Sequence, residues 1–524
     1  MQVENPRRPP LLCLPDELIL EISELTVKLS SGYRFWITLT AICFPIREIL
    51  ISSPSPWRII NADSIPLAKL FLKRCNFNPL ALFVADGLNA SCPTDKTQIW
   101  EALEGRTFNN LHFLMFRGLK SEFEHRVVDL LRRAPNLSAL EIDTCKSWDL
   151  EWTLYDKLPH LTMLRLGLVW IDWNVPILRN LTKLILNFAF ARFPKKLTSV
   201  KTFLSVLKNC PDLEILHLSS AGPLPESDAE VCGEIVRLQK LKELVLFFYQ
   251  QQKVACILSR IWFPGSTKVQ VETAYYRGPY AALSRLLPHS DATIFQYLRQ
   301  AAVIAIDFGS VSYNVVIDNF RLVLRVENDE DDPDPSNLET VPQFVSKLVE
   351  IIGSETPVAL HVRSDLSYAI PRDVWNGLLH GLPHLKFISY DDSFEWSADY
   401  VDPLCSAVSH DVSLKQTGSF VDPFCSVLSE PFEGGLVCPQ LRDLRIPWLL
   451  GRSAITLKRT LLERGASGRR LKRISTSRKV EGEMVLLSHF RDVVDDISPF
   501  YTPTVRPSSP VSSCLEQLNE TLKN

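Results

Sequence analysis

The sequence predicts an α/β protein: a small all-α domain followed by a long array of helix–strand repeats with a parallel sheet along one face. Three observations predict it. A leucine-spaced hexamer recurs along much of the 524 residues. A proline stands at a fixed offset before several copies, directly after helical patterns. A short helix with one apolar stripe precedes the whole array.

The hexamers have the form Leu-x-x-Leu-x-Leu and read LHFLMF (from 111), LSALEI (137), LTMLRL (161), LTKLIL (181), LEILHL (213), LKELVL (241), LKFISY (385) and LRDLRI (441). The first six start 26, 24, 20, 32 and 28 residues apart. Those intervals lie in or near the range of leucine-rich repeats. Proline enters as APNL (134), LPHL (158), CPDL (210), LPHL (382) and CPQL (438). It removes a backbone donor and turns the preceding residue away from helical angles, so a helix stops there. Alternating apolar residues follow, which suits a strand. No such unit buries its apolar side alone, so neighbours stack into a solenoid. The expected boundaries are a disordered 1–12, the small domain 13–60, the array 61–477, and a partly disordered tail 478–524.

Between 249 and 380 the leucine spacing fades, although strand-like runs persist at 268, 301, 315 and 357. These read as diverged repeats around an acidic loop at 327–335. YVDPLCSAVS (400) and FVDPFCSVLS (420) read as a tandem copy of a helix start. Helix and strand patterns at 453–477 close the array.

Composition narrows the function. The chain is 46% hydrophobic and 22% charged with a formal charge of −3, so nothing global favours nucleic acid or an anionic membrane. No apolar run approaches the roughly 18 residues of a membrane span. The twelve cysteines show neither paired spacing nor the density of a disulfide framework, which fits reduced thiols in the cytosol or nucleus. No phosphate-binding, dinucleotide, nucleophile-elbow or zinc-helix motif occurs, and no metal or cofactor is expected. His380 and His384 flank glycine and proline and read as turn residues. DFGS at 307 reads as a strand end. The nine Lys/Arg residues between Lys458 and Lys479 read as a solvated face rather than a nucleic-acid patch. The chain therefore reads as a non-enzyme, with an α/β enzyme hidden in 249–380 as a rival.

The N-terminal helix explains the architecture. Pro15 suits a first helical turn, Asp16 and Glu17 suit its positive end, and Leu18, Ile19, Ile22 and Leu25 share one side. LPDELILEI (14–22), Ile42-Cys43 and SSPSPW (52–57) together resemble the F-box motif, and with the repeats the chain resembles the expanded F-box/leucine-rich-repeat families of fungi. The resemblance implies a substrate-recruiting subunit of a Skp-cullin-F-box ubiquitin ligase, with Leu14, Pro15, Leu18, Ile22 and Trp57 at or beneath the adaptor interface and an unidentified protein client on the repeats. Two residues depart from the motif: Ile46 stands where it has tryptophan, and Pro45 falls in an expected helix interior. The alternative is an interaction scaffold with a decayed F-box. In the hexamers, residues alternating with the leucines face the opposite side of the sheet. That places Glu141, Asp143, Arg165, Ile185, Asn187, His217, Val245 and Phe247 on the concave, client-facing side, with Val245 and Phe247 as an exposed apolar pair.

Overall fold

A computed structural model describes residues 14–29, 35–62, 64–85, 97–150, 158–188, 198–223, 235–248, 251–275, 302–308, 312–317, 320–326, 340–353, 357–364, 370–391, 421–432, 435–446, 451–477 and 490–500, with Leu283, Leu286, Leu298 and Arg299 besides. Residues 1–12, the acidic loop at 327–335 and the first copy of the tandem repeat lie outside the described residues. Contacts divide the chain into two compact units, residues 1–217 with 508–524, and residues 218–507.

The first unit opens with three helices, Asp16–Leu29, Phe35–Thr40 and Phe44–Ser52. The third begins at Phe44, so Pro45 sits in its first turn, where a missing N–H costs nothing. The helices are interrupted at 41–43, and Pro45 starts the next one rather than standing in a helix interior. Trp57 follows in a single 3-10 turn and is fully buried.

Strands β1 (Ile59–Asn61), β2 (Ala81–Ala85), β3 (Phe113–Leu119), β4 (Ala139–Asp149), β5 (Met163–Trp170) and β6 (Lys183–Asn187) then pair in sequence order, all parallel. Strand β7 (Ile215–Ser219) straddles the boundary between the units. β1 and β2 precede the first hexamer; their short runs, IIN and ALFVA, carry no leucine spacing.

Each hexamer starts a strand two residues after its first leucine. That leucine closes a turn: the N–H of Leu137, Leu161 and Leu213 donates to the carbonyl of Ala134, Leu158 and Cys210 at 3.2–3.3 Å. The proline occupies the second position of this turn, where its fixed φ is already correct. It thus does two things, stopping the helix and shaping the turn. The preceding helices, Glu124–Arg132 and Val200–Lys208, end two or three residues before it.

The second hexamer position has its own role. Ser138, Thr162 and Thr182 each donate a hydroxyl to the carbonyl of the same position one repeat earlier, at 3.0, 3.2 and 3.1 Å. Those carbonyls also accept two backbone N–H groups from the next repeat, as His112 does from Ser138 and Ala139. The recurring LS and LT pairs are therefore a hydroxyl ladder joining repeats. On one side of the sheet Leu114, Leu140, Leu164, Leu184 and Leu216 are fully buried. Trp100 of the helix Thr97–Leu103 stacks on Phe116 of that same side, at 5.5 Å between ring centroids.

In the second unit β9 (Glu243–Phe248) pairs in parallel with β11 (Lys268–Tyr275), while β8 (Val236–Arg237) and β10 (Ile261–Trp262) form a small parallel pair of their own. In the irregular segment β11 keeps the parallel pairing of the repeats, and the part directly after it does not. β12 (Val303–Phe308), β13 (Ser312–Ile317) and β14 (Phe320–Val326) form an antiparallel meander, and it is β14 that lies beside β11. β12, the first to be made, pairs onward with β15 (Ala359–Ser364). Because β13 runs backward, the parallel sense of the rest is kept while chain order is reversed. The single run VVIDNFRLVLRV thus divides into the end of β13 and all of β14. Asp307 and Phe308 close β12, the expected strand end.

The array resumes with β16 (Phe387–Asp391), β19 (Asp443–Ile446) and β20 (Arg473–Ser477), all parallel, with β17 (Pro431–Phe432) and β18 (Gly435–Leu436) as a small hairpin between. The second tandem copy forms the helix Val421–Leu428, as expected of a helix start. One more parallel strand, β21 (Asp496–Phe500), lies beyond the expected end of the array at 477. The guanidinium of Arg464 is buried and donates to the carbonyls of Val437 and Cys438 at 2.7 and 2.9 Å. Cys438 has φ +48°, so these bonds hold a strained turn in place.

Candidate functional site

The first unit carries two surfaces with distinct chemistry. On the N-terminal helices, Ile19 and Ser23 point inward together with Ile46, Leu50 and Trp57. The opposite residues do not. Leu18, Ile22, Leu25, Ile42 and Phe44 remain 42–73% exposed. Positions 18, 22 and 25 share one helical face at i, i+4 and i+7. Ile19, placed in the same stripe by the sequence pattern, is core. Pro15 is exposed and Leu14 half-buried; the carbonyl of Pro15 accepts the N–H groups of Leu18 and Ile19 at 3.1 Å and starts the helix.

Trp57 is not on this surface. Its indole N–H donates to the Leu50 carbonyl at 2.7 Å, and its ring meets Phe71 edge-on with centroids 4.9 Å apart. The Arg74 guanidinium lies over the same ring at 4.1 Å. Trp57 therefore ties the third helix to the helix Ile65–Arg74, and of the two places expected for it, at or beneath the adaptor surface, it takes the buried one. Ile46, where the motif has tryptophan, is buried as well.

The second surface is the sheet face opposite the leucines. The register sets Glu141 beside Arg165, Asp143 beside Gly167, and Arg165 beside Ile185. Arg117 reaches the Glu141 carboxylate at 4.0 Å. A side chain at Gly167 would collide with the Asp143 carboxylate, so glycine is what lets that acid lie across β5. Burial pushes the Glu141 carboxyl up from its ordinary range, against the opposing pull of Arg165 and Arg117. Asp143 is pushed up for the same reason, again opposed by Arg165 and Arg117. Among the concave residues expected from the hexamers, Asp143 is exposed, and Arg165, Ile185, Asn187 and His217 are half-buried. Glu141 is not open at all: it is buried, and its Oε1 has no hydrogen-bond partner among the described residues.

Val245 and Phe247 belong to the second unit, where they stand beside Gln270 and Glu272. They are half-buried rather than an exposed pair. The sheet face of the first unit instead holds an apolar cluster that the hexamer reading passed over. Ala81, Phe113, Met115, Ala139 and Met163 are buried, with Ile59 and Phe83 packed against them. Phe113, Ala139 and Met163 occupy the third hexamer position. Strict alternation, applied two residues earlier than Glu141, finds them.

No group of three or more His, Cys, Asp or Glu among the described residues is arranged to hold a metal ion. His384 meets Gln440 at 3.4 Å in a turn. The basic stretch is tied to the last strand: Lys458 pairs with Asp492, Arg470 with Asp495, and Arg473 with Asp496, at 3.0–3.3 Å. No helix among the described residues is long and apolar enough to cross a membrane.

The chain matches no family model and no curated protein sequence. Among solved structures it is similar to the leucine-rich repeat-containing protein LegL7 from Legionella pneumophila, at 11% identity and a TM-score of 0.23, over 64% of this chain and 89% of that one.

Proposed function

We propose that the chain is the substrate-recruiting subunit of a Skp-cullin-F-box ubiquitin ligase, non-catalytic itself. Its helical N-terminus docks on a Skp-type adaptor and its repeat sheet holds a protein client. The observation that carries this reading is the set of five large apolar side chains, Leu18, Ile22, Leu25, Ile42 and Phe44, left outside three small helices that already have a separate core. Such a surface fits a protein partner. The F-box resemblance supplies the kind of partner. Holding a client near a ubiquitin-charged enzyme raises its effective concentration, so the chain needs no catalytic group of its own. The exposed and half-buried charges Arg117, Asp143 and Arg165, with Asn187, are the part of the sheet face available to a client.

Fully covering one large apolar side chain contributes roughly 1.5–3 kcal/mol, so losing two weakens a contact by about 100-fold or more. Co-purification of a Skp adaptor with the full chain is therefore compared with a Leu18→Asp/Phe44→Asp variant. Both positions are exposed, so the variant keeps the thermal unfolding of the parent and loses the adaptor. Equal recovery from both refutes the site. A parent chain that recovers no adaptor leaves the plain repeat scaffold as the function.

A further inference from the structure

We propose that the small parallel pair of β8 and β10 is an acceptor for one further strand, supplied by an extended, acidic segment of a partner protein. The pair stands apart from the main sheet. The N–H groups of Val236 and Leu238 donate to the carbonyls of Arg260 and Trp262, both at 2.9 Å. Alternation then divides the side chains. Val236, Leu238, Ile261 and Phe263 form the inner side and are at most 4% exposed. Ile235, Arg237 and Trp262 form the outer side, and the register sets Trp262 beside Arg237. Ile235 is 56% and Trp262 37% exposed, and Arg237 is exposed as well.

The edge, the side chains and the charge each say what this surface takes. Among the described residues no third strand joins the pair. The N–H of Val236 and Leu238 faces β10, so by alternation the N–H and C=O of Arg237 face away from it, on an open edge. Such an edge is a template for another strand, and two short strands gain stability from a third. An exposed isoleucine and tryptophan around an arginine have the composition of a binding hot spot. No carboxylate among the described residues pairs with Arg237, so an Asp or Glu opposite it on the added strand is favoured. A second copy of the chain is disfavoured for the same reason, because two-fold pairing along β8 brings Arg237 toward Arg237. The added strand therefore sets an apolar residue beside Ile235 and a carboxylate beside Arg237, joined to β8 through main-chain hydrogen bonds. Trp262, on the strand behind, extends the apolar surface. The pair belongs to the second unit, and the inference does not depend on adaptor binding.

A phage-displayed library of random linear peptides is selected on the full-length protein, and the enriched peptides are synthesised and titrated by fluorescence anisotropy. We expect them to carry Asp or Glu within an apolar–polar alternation, and to slow hydrogen exchange at the Arg237 amide. A full-length Ile235→Asp/Arg237→Glu variant keeps the thermal unfolding of the parent, because both side chains are exposed, and binds these peptides at least about 10-fold more weakly. A full-length Arg237→Glu variant prefers the same peptides with lysine in place of the acid, and carries the test by itself if the double variant loses its fold. No enrichment over a selection without protein overturns the proposal. Peptides that bind both variants as they bind the parent overturn it too, since the edge is then not the acceptor. Enriched peptides that are basic, or that space their apolar residues as a helix does, overturn its chemistry. Light scattering in which the parent dimerises and the double variant does not means that a second copy takes the edge, which overturns the partner named here.

Discussion

At the scale of single residues, the informative positions are polar groups in apolar places. Glu141 sits among Met115, Ala139 and Met163, and burial raises its carboxyl pKa above the unfolded value. The folded state then binds more protons than the unfolded state between the two pKa values. Stability contributed by this group falls as pH rises through that window and is restored as pH drops. Glu141→Gln removes the charge and keeps the shape. We expect it to raise the thermal midpoint at neutral pH, with the gain shrinking as the buffer is acidified through the carboxylate range. A gain that persists unchanged at acid pH contradicts a buried charge as its source. Trp57 is a second such residue. The sequence motif marks it as important, yet its indole N–H, edge contact and overlying Arg74 all face inward. A tryptophan that joins two helices and one that binds a partner have the same letter in a motif, and only its neighbours separate them.

At the scale of the repeating element, three sequence positions have three separable jobs. The first leucine closes a turn, the serine or threonine after it joins consecutive repeats through its hydroxyl, and the fourth and sixth positions fill the core. The energies differ accordingly. Leu140→Asp or Leu216→Asp places a charge in a fully buried site and is expected to abolish soluble folding. Pro211→Ala keeps the turn bond from Leu213 to Cys210 and loses mainly backbone restriction, about 0.4–1 kcal/mol. Urea unfolding of the proline variant and soluble yield of the aspartate variants check both; a proline variant as damaged as the leucine variants refutes this division of labour. The hexamers were legible because each leucine position is buried by the same partners in every repeat, which makes the spacing periodic. The meander of β12–β14 was not. Its strands alternate apolar and polar residues like any strand, and alternation does not reveal whether a neighbour runs parallel or antiparallel.

At the scale of the molecule, the first unit presents an apolar helical surface at Leu18–Phe44 and a buried apolar cluster on the sheet face of β2–β5, built from different residues. The two are expected to act independently. In the Leu18→Asp/Phe44→Asp variant, the buried Met115 and Met163 oxidise in dilute hydrogen peroxide no faster than in the parent, as followed by peptide mass spectrometry. The Glu141→Gln variant likewise recovers as much adaptor as the parent. A change in either cross-measurement means that the surfaces are coupled through the unit.

The sequence by itself determined the α/β class, the places of eight hexamer strands, the turns before them, and a helical N-terminus with an apolar stripe. All of these depend on local spacing: periods of two or 3.6 residues, and the fixed φ of proline. Tertiary structure decided the rest. It divided the N-terminal stripe, sending Ile19 inward and leaving Leu18, Ile22 and Leu25 outside. It made Pro45 a helix start, reversed strand order in the irregular segment, and buried Glu141 on a face where alternation predicts water. Burial depends on what lies above a residue, and the spacing of residues along one strand does not encode that.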